Sequence, residues 1–195
     1  MKILYVHGLS SSGASSTVSS LKRLLTAEDT VIAPDLPFDP EEAMALLTKL
    51  CQKEQPDIIV GTSMGGMFAQ KLRGYPKLLI NPAFHVSEFM KKNIRILPFL
   101  NPRKDGATQF EITEKLCACY EQLESTQFIN LDDFEKNNTF GLFGKNDTLV
   151  NCSDEFTQNY RFIRWFDGEH RLTTENVQND VIPYIQHILN RASEK

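Results

Sequence analysis

Residues 56–69 read Pro-Asp-Ile-Ile-Val-Gly-Thr-Ser-Met-Gly-Gly-Met-Phe-Ala, and this stretch decides the fold. The β-branched run at 58–60 predicts a buried strand, a Gly-x-Ser-x-Gly motif follows at 61–65, and the apolar spacing from 66 onward predicts a helix. Strand, sharp turn and helix in this order are typical of a nucleophile elbow, which holds Ser63 in a strained backbone conformation. We expect side chains at 61 and 65 to clash with the neighbouring strand and helix, which explains the two glycines. The helix N-terminus also offers free N–H groups to a developing oxyanion.

The composition is that of an ordinary globular protein. At 195 residues the chain is long enough for a substantial core, so we expect a single domain over 1–195. The net charge of −4 and the lack of a basic block argue against a nucleic-acid partner. No apolar run approaches the roughly 18 residues of a membrane span. The N-terminus enters a strand directly, without the pattern of a signal peptide, so we expect a cytoplasmic location.

The cysteines give no sign of a metal or redox site. Cys117 and Cys119 have neither the redox nor the zinc-ribbon spacing, and no second pair lies near them. We therefore expect reduced thiols throughout, and neither a metal nor a cofactor. The four cysteines are Cys51, Cys117, Cys119 and Cys152.

Six short apolar segments predict strands, and amphipathic helices lie between most of them. The strands are expected at 3–6, 30–33, 58–60, 77–81, 139–143 and 162–166, and a closing helix is expected at 181–189. This alternation predicts an α/β fold with a mostly parallel six-stranded sheet and helices on both faces. In such sheets the site lies at the carboxyl ends of the strands.

The segment 84–136, after the fourth strand, is too long for an ordinary crossover. Its pattern predicts a short helix at 87–93 and a longer one at 112–123, but no clear strand. Two interpretations stay open: a lid over the site, or a long crossover that merely packs against the sheet edge. If the segment is a lid, its apolar side chains are expected to line an acyl pocket, especially Leu97, Phe99, Leu100 and Phe110.

Three residues that follow strand ends predict a catalytic triad. Ser63 follows the third strand, Asp147 the fifth and His170 the sixth, which is the Ser, Asp, His order of α/β-hydrolases. Three other carboxylates compete with Asp147 for the role of the acid: Asp167, Glu169 and Asp154. The first two share the loop of the histidine, and the third is explained as a favourable charge at a helix N-terminus. Asp147 is therefore the expected acid.

The loop after the first strand is the expected second wall of an oxyanion hole. Backbone N–H groups of Leu9 and Met64 would hold the negative oxygen of the reacting carbonyl. His7 is expected to be structural, because a base from this loop does not fit the elbow arrangement. Asp35, after the second strand, is expected to bind loop amides rather than take part in catalysis.

Six motifs spread over nearly the whole chain are similar to those of one known family. They are His7-Gly8-Leu9-Ser10-Ser11, Gly61-Thr62-Ser63-Met64-Gly65-Gly66, Ile80-Asn81-Pro82-Ala83, Asn101-Pro102, the stretch from Gly144 to Leu149, and Asp167-Gly168-Glu169-His170. On these motifs the sequence resembles the α/β-hydrolase esterases of the YqiA/YcfP type. It departs from their pattern at Thr148, where an acid is usual, at Asp167, which replaces a glycine, and at Arg171-Leu172, where the family has an aromatic residue two positions after the histidine. The resemblance implies a small cytoplasmic esterase or thioesterase.

Together these features predict a serine hydrolase that acts on a small-molecule carboxylic ester or acyl thioester through an acyl-enzyme. Two alternatives stay open: a non-catalytic binding protein with the α/β-hydrolase fold, and an acyltransferase that uses the same triad. Labelling by a fluorophosphonate probe distinguishes an enzyme from a binding protein. Product analysis with candidate acceptors distinguishes acyl transfer from hydrolysis.

Overall fold

The computed structural model describes residues 1–193, so residues 194 and 195 of the expected domain lie outside the described residues. The elements in chain order are β1 Lys2–Val6, α1 Ser16–Leu24, β2 Thr30–Ile32, α2 Pro40–Glu54, β3 Ile58–Thr62, α3 Met64–Lys71, β4 Lys77–Ile80, α4 Val86–Lys91, β5 Ile96–Pro98, β6 Gln109–Glu111, α5 Glu114–Ser125, α6 Asp133–Asn138, β7 Thr139–Gly144, α7 Ser153–Asn159, β8 Phe162–Phe166, α8 Thr174–Asn176, a π-helical segment Val177–Val181 and α9 Ile182–Ser193.

Within residues 1–193, six strands form the central sheet, in the order β2-β1-β3-β4-β7-β8. Every neighbouring pair in this sheet is parallel. Parallel neighbours cannot be joined by tight hairpins, and the intervening helices supply the crossovers they need. The predicted α/β fold with six strands is therefore confirmed, and the elbow strand β3 lies in the interior of the sheet between β1 and β4.

Each face of the sheet carries its own apolar core, because successive strand residues point to opposite faces. On one face Ile59 packs with α2, α3, α7 and the segment between β4 and β7. On the other face Ile58 packs with α1 and the closing helix. Both isoleucines are fully buried, and burial on both faces explains why the central strands are continuous apolar runs.

The segment between β4 and β7 differs from expectation in one respect, since it contains two short strands. β5 and β6 pair antiparallel, with Leu97 opposite Phe110. The sequence pattern, in which no strand was clear, therefore missed these two strands. Each strand has only three residues, too few to show a period of two in the sequence. The two helices predicted in this segment are present as α4 and α5.

Buried amide side chains fasten this segment to α3. Gln127 donates from Nε2 to the carbonyl of Phe84 at 3.0 Å, which joins the two ends of the segment. Gln70 of α3 donates to Oε1 of Gln127 at 3.2 Å and accepts from the hydroxyl of Tyr160 at 2.7 Å. A buried network whose members are all satisfied specifies one arrangement, so the base of the segment is fixed to α3.

A buried ion pair provides a second attachment, at the amino end of β4. Lys77, fully buried, contacts the carboxylate of Glu135 on α6, which is 2% exposed. The ammonium also donates to the carbonyl of Tyr75 at 3.1 Å, and the carboxylate accepts the N–H of Gly74 at 2.8 Å. These extra hydrogen bonds offset part of the cost of removing both charges from water.

The closing helix begins earlier than expected. Thr173 caps it by accepting the N–H of Asn176, and the Asn176 side chain completes a reciprocal capping box. The predicted start at 181 missed this first turn, because its apolar residues begin only at Val177. Pro183 is the second residue of α9, directly after the wider π-helical turn, where its missing N–H is tolerated. None of the helices in the described part of the chain is long and apolar enough to cross a membrane.

Candidate active site

The turn between β3 and α3 has the geometry of an elbow. Ser63 has φ 53° and ψ −124°, a conformation that L residues rarely adopt. Its backbone is held on both sides: the N–H donates to the carbonyl of Ile80 at 3.0 Å, and the carbonyl accepts from Gly66 at 2.8 Å and from Ala83 at 3.0 Å. These bonds stabilise the strained residue and project its side chain from the carboxyl end of the sheet.

The glycines on either side of Ser63 allow the strand and the helix to approach closely. A Cβ at Gly61 would lie 2.4 Å from the carbonyl oxygen of Gly65. A Cβ at Gly65 would lie 2.0 Å from the carbonyl oxygen of Val6, on the neighbouring strand. The predicted clashes with the helix and the strand are therefore confirmed.

His170 bridges the serine and the aspartate. Its Nε2 lies 3.0 Å from Oγ of Ser63, and its Nδ1 lies 2.7 Å from Oδ2 of Asp147. The Asp147 side chain is 4% exposed and that of His170 is 16% exposed. A carboxylate only accepts hydrogen bonds, so it favours the tautomer with the proton on Nδ1 and leaves Nε2 free to accept the serine proton.

Two backbone N–H groups orient the aspartate. Oδ1 of Asp147 accepts from Leu149 at 2.9 Å and from Val150 at 3.0 Å, so the second oxygen is directed at the imidazole. The structure does not bring the competing carboxylates to the ring: within the described residues neither ring nitrogen of His170 is hydrogen-bonded to a carboxylate oxygen of Asp154, Asp167 or Glu169. All three are exposed.

The loop after β1 lies directly against the serine. A Cβ at Gly8 would lie 3.1 Å from Cβ of Ser63. Neither the N–H of Leu9 nor that of Met64, the first residue of α3, donates a hydrogen bond within residues 1–193. Both donors predicted for an oxyanion hole are therefore available on the elements that flank Ser63.

His7 fixes the orientation of this loop. It is 3% exposed, its Nδ1 lies 2.8 Å from the carbonyl oxygen of Gly8, and its Nε2 accepts the N–H of Leu36 at 3.1 Å. Burial lowers the pKa of His7, and the positive charge of Arg103 lowers it further. The C=O and N–H of one trans peptide point in opposite directions, so the N–H of Leu9 points away from this ring. A structural role for His7 agrees with the prediction.

Asp35 behaves as the sequence predicts. Its carboxylate accepts the backbone N–H of Gly13 at 2.7 Å and that of Lys104 at 2.6 Å. It therefore joins the loop after β1 to the loop between β5 and β6.

The loop between β5 and β6 is attached to the loop after β1. The N–H of Leu100 donates to the carbonyl of Ser10 at 2.7 Å, and the hydroxyl of Ser11 donates to Oδ1 of Asn101 at 2.9 Å. The hydroxyl of Ser12 donates to the carbonyl of Pro102 at 2.7 Å. No role for Asn101 was predicted from the sequence, although its place in a family motif was the available signal.

The four apolar residues proposed for an acyl pocket fall into two groups. Phe110 is 7% exposed, and its ring lies 4.2 Å from that of Phe38 and 4.9 Å from that of Phe99. Leu97, opposite Phe110, is also partly buried against the core. Leu100 is different, because it is 55% exposed while its backbone bonds the loop after β1. It is therefore the one of the four that presents its side chain to solvent beside Ser10.

Two surface depressions lie away from these residues. One of about 370 Å³ is lined by Lys136, Arg161 and the residues 157–160. The other, of about 340 Å³, lies between α2 and α5. Neither includes Ser63, Asp147 or His170. Among the described residues no group of three or more His, Cys, Asp or Glu side chains is placed to hold a metal ion.

The parallel sheet, the elbow after β3, and the positions of Asp147 and His170 after β7 and β8 define an α/β-hydrolase fold. Solved structures agree: Est1E from Butyrivibrio proteoclasticus is similar at 13% identity and a TM-score of 0.66, with 97% of this chain and 88% of that chain covered. The mouse alpha/beta hydrolase domain-containing protein 10 is similar at 12% identity and a TM-score of 0.66, with 98% and 90% covered. The esterase domain of a Rhodothermus marinus protein is similar at 16% identity and a TM-score of 0.60, with 95% and 86% covered.

A family model described as "Uncharacterised protein family (UPF0227)" matches residues 2–189. The chain belongs to this family, and the resemblance to esterases of the YqiA/YcfP type is confirmed.

Proposed function

We propose that this protein is a serine ester hydrolase that cleaves a small acyl ester or thioester through an acyl-enzyme. The observation that carries the proposal is the position of His170, with Nε2 3.0 Å from Oγ of Ser63 and Nδ1 2.7 Å from the carboxylate of Asp147. Nucleophile, base and orienting acid within hydrogen-bond reach are the arrangement that activates a serine hydroxyl. Similarity to a protein described as an esterase domain lends further support.

The reaction begins when Oγ of Ser63 attacks the acyl carbonyl carbon and Nε2 of His170 takes the hydroxyl proton. The negative oxygen of the tetrahedral intermediate is held by the N–H groups of Leu9 and Met64. The bond to the alcohol or thiol then breaks, and the leaving group takes the proton from His170. Asp147 stabilises the transient imidazolium throughout.

Water completes the cycle. It attacks the acyl carbon of the ester on Ser63 and gives one proton to Nε2 of His170. When the intermediate collapses, the carboxylic acid leaves and the serine oxygen regains its proton from the imidazole. No step needs a metal or a cofactor, because the proton and the negative charge are both handled by the groups named.

A fluorophosphonate probe tests the proposal directly. The wild-type protein should be modified once, at the peptide that contains Ser63, and Ser63→Ala should be neither modified nor active. Ser12→Ala is a matched control, since this buried serine lies in the loop after β1 and should leave the labelled peptide unchanged. Absence of labelling in the folded wild-type protein would support a binding protein instead. Ester formation with an added alcohol or amine acceptor, in preference to hydrolysis, would support an acyltransferase.

A panel of esters and thioesters with acyl chains of graded length addresses the substrate. We propose that the loop between β5 and β6 influences the choice of acyl chain, because Leu100 exposes its side chain next to the loop that carries Leu9. The bonds of Gln127 and Glu135 hold the ends of the 84–136 segment. Any lid motion would therefore be confined to its middle part.

A further inference from the structure

Asn81, the first residue after β4, has an unusual environment. It is 2% exposed and has φ 42°, in the left-handed region. In the described part of the chain its side chain makes three hydrogen bonds: Oδ1 accepts the N–H of Gly144 at 2.7 Å, and Nδ2 donates to the carbonyls of Glu169 at 3.1 Å and of His170 at 3.3 Å. One buried amide thus contacts the end of β7 and the loop that follows the neighbouring strand β8.

The two contacted segments are those that carry the acid and the base. Gly144 is the last residue of β7, and its carbonyl accepts the N–H of Asp147 at 3.2 Å. Glu169 and His170 belong to the loop after β8. The amide therefore joins the turn of the acid to the loop of the histidine, without a hydrogen bond to the imidazole or to the Asp147 carboxylate within the described residues.

Asparagine suits this position for two reasons. One short side chain must accept a hydrogen bond from one N–H and donate hydrogen bonds to two carbonyls. A carboxylate or a hydroxyl cannot do both. The backbone is left-handed, a conformation that asparagine adopts more readily than most residues. Loss of the amide would leave buried polar backbone groups unsatisfied, which is costly in a desolvated site.

We propose that Asn81 is a positioning residue that sets the alignment of the Asp147 carboxylate with the His170 imidazole. The inference rests on the proposed hydrolase function. Asn81 holds the two loops in register, and His170 carries out the proton transfers.

Glycine substitutions test the role of the amide. Asn81→Gly removes the side chain but tolerates the left-handed backbone. Asn130→Gly is the matched control, because Asn130 also has a positive φ, 57°, but is exposed and lies between α5 and α6. Activity is expressed per active site, counted by fluorophosphonate titration. We expect kcat per site to fall roughly 10- to 100-fold in Asn81→Gly, the order of effect of a misalignment of about 1 Å, with KM changed less than about threefold. Asn130→Gly should keep the wild-type kcat.

Counting active sites separates positioning from mere stability. A variant that only folded less well would show fewer titratable sites, with an unchanged kcat for each. The pH profile gives a second readout: a loosened Asp147 stabilises the imidazolium less, so the midpoint of the rise in kcat/KM with pH should move to lower pH in Asn81→Gly. An unchanged midpoint and an unchanged kcat per site would overturn the inference.

Asn81→Asp provides a nearly isosteric second variant in case the glycine variant does not fold. It keeps the acceptor for Gly144 but, once ionised, sets an oxygen against the carbonyls of Glu169 and His170. We expect kcat per site to fall, and the loss to deepen as the pH is raised. If Asn81→Asp had the wild-type kcat at pH 8, this inference would be overturned while the proposed function would still stand. A folded wild-type protein that the probe does not modify would overturn the proposed function and this inference together.

Discussion

Changing Asp147 to asparagine should abolish most activity through the tautomer of His170. In the structure Oδ1 of Asp147 accepts the N–H groups of Leu149 and Val150, and Oδ2 faces Nδ1 of the ring at 2.7 Å. An asparagine must turn its oxygen to the same two donors, because its NH₂ group cannot accept them. The NH₂ group then faces Nδ1, which must accept rather than donate.

The ring proton consequently moves to Nε2, the atom that should receive the proton of Ser63. We expect kcat to fall roughly 10³- to 10⁴-fold, equivalent to about 4–5.5 kcal/mol of lost transition-state stabilisation. The shape of the side chain is almost unchanged, so the protein should stay folded. Hydrolysis of a short p-nitrophenyl ester measures kcat, and urea denaturation checks the fold.

Two matched variants control for the loss of a carboxylate charge. Asp154→Asn and Asp167→Asn each remove an exposed carboxylate, in the first turn of α7 and in the loop of His170 respectively. Each should change kcat less than about tenfold. If Asp167→Asn were the crippling change and Asp147→Asn the mild one, the assignment of the acid would be refuted, while the Ser63–His170 pair could still stand.

Three further predictions concern stability and specificity. Burial lowers the pKa of His7 in the folded state, so the imidazole binds a proton more readily in the unfolded chain than in the folded protein. The free energy of unfolding should therefore fall as the pH drops below about 6.5. Urea midpoints should fall less between pH 8 and 5 in His7→Gln than in the wild type, and equal falls would contradict this. Glu135→Gln leaves the buried Lys77 ammonium uncompensated and should cost about 3–5 kcal/mol in the free energy of unfolding; a loss below about 1 kcal/mol by urea denaturation would argue against it. Leu100→Ala should lower kcat/KM more for long acyl chains than for acetate, by about 0.8 kcal/mol per CH₂ no longer buried. Ile129→Ala, at a similarly exposed position, should leave kcat/KM unchanged for both the long-chain esters and the acetate. An equal loss for every ester in Leu100→Ala would exclude chain-length selection by Leu100.

The parts of the structure that sequence analysis predicted are those with a strong local pattern. The strand at 58–60 is a run of three β-branched residues between turn signals, and both faces of β3 are indeed buried. The elbow needs small residues at fixed offsets from Ser63, so it too is visible within a short window. The chain order of Asp147 and His170 followed from the strand ends, since parallel strands bring their carboxyl ends to one edge.

The parts that escaped prediction depend on contacts between distant residues. Lys77 looks like a solvent-facing residue at the start of a strand, and only Glu135, far along the chain, explains its complete burial. β5 and β6 are joined by the long stretch 99–108, so the sequence contains no tight-turn signal that would predict their pairing. The role of Asn81 is likewise invisible locally, because its amide partners lie 63, 88 and 89 positions away.

The hydrogen bond between Ser63 and His170 spans 107 positions, and this distance has a consequence for how the protein is made. His170 follows β8, which is the last strand of the sheet and adds to its edge beside β7. On the proposed function, a growing chain whose elbow has formed would still lack the base for Ser63, and Ser63 would stay unreactive until β8 has joined β7. Reactivity toward a fluorophosphonate would then appear only when β8 docks. Its time course during synthesis would therefore report when that docking occurs.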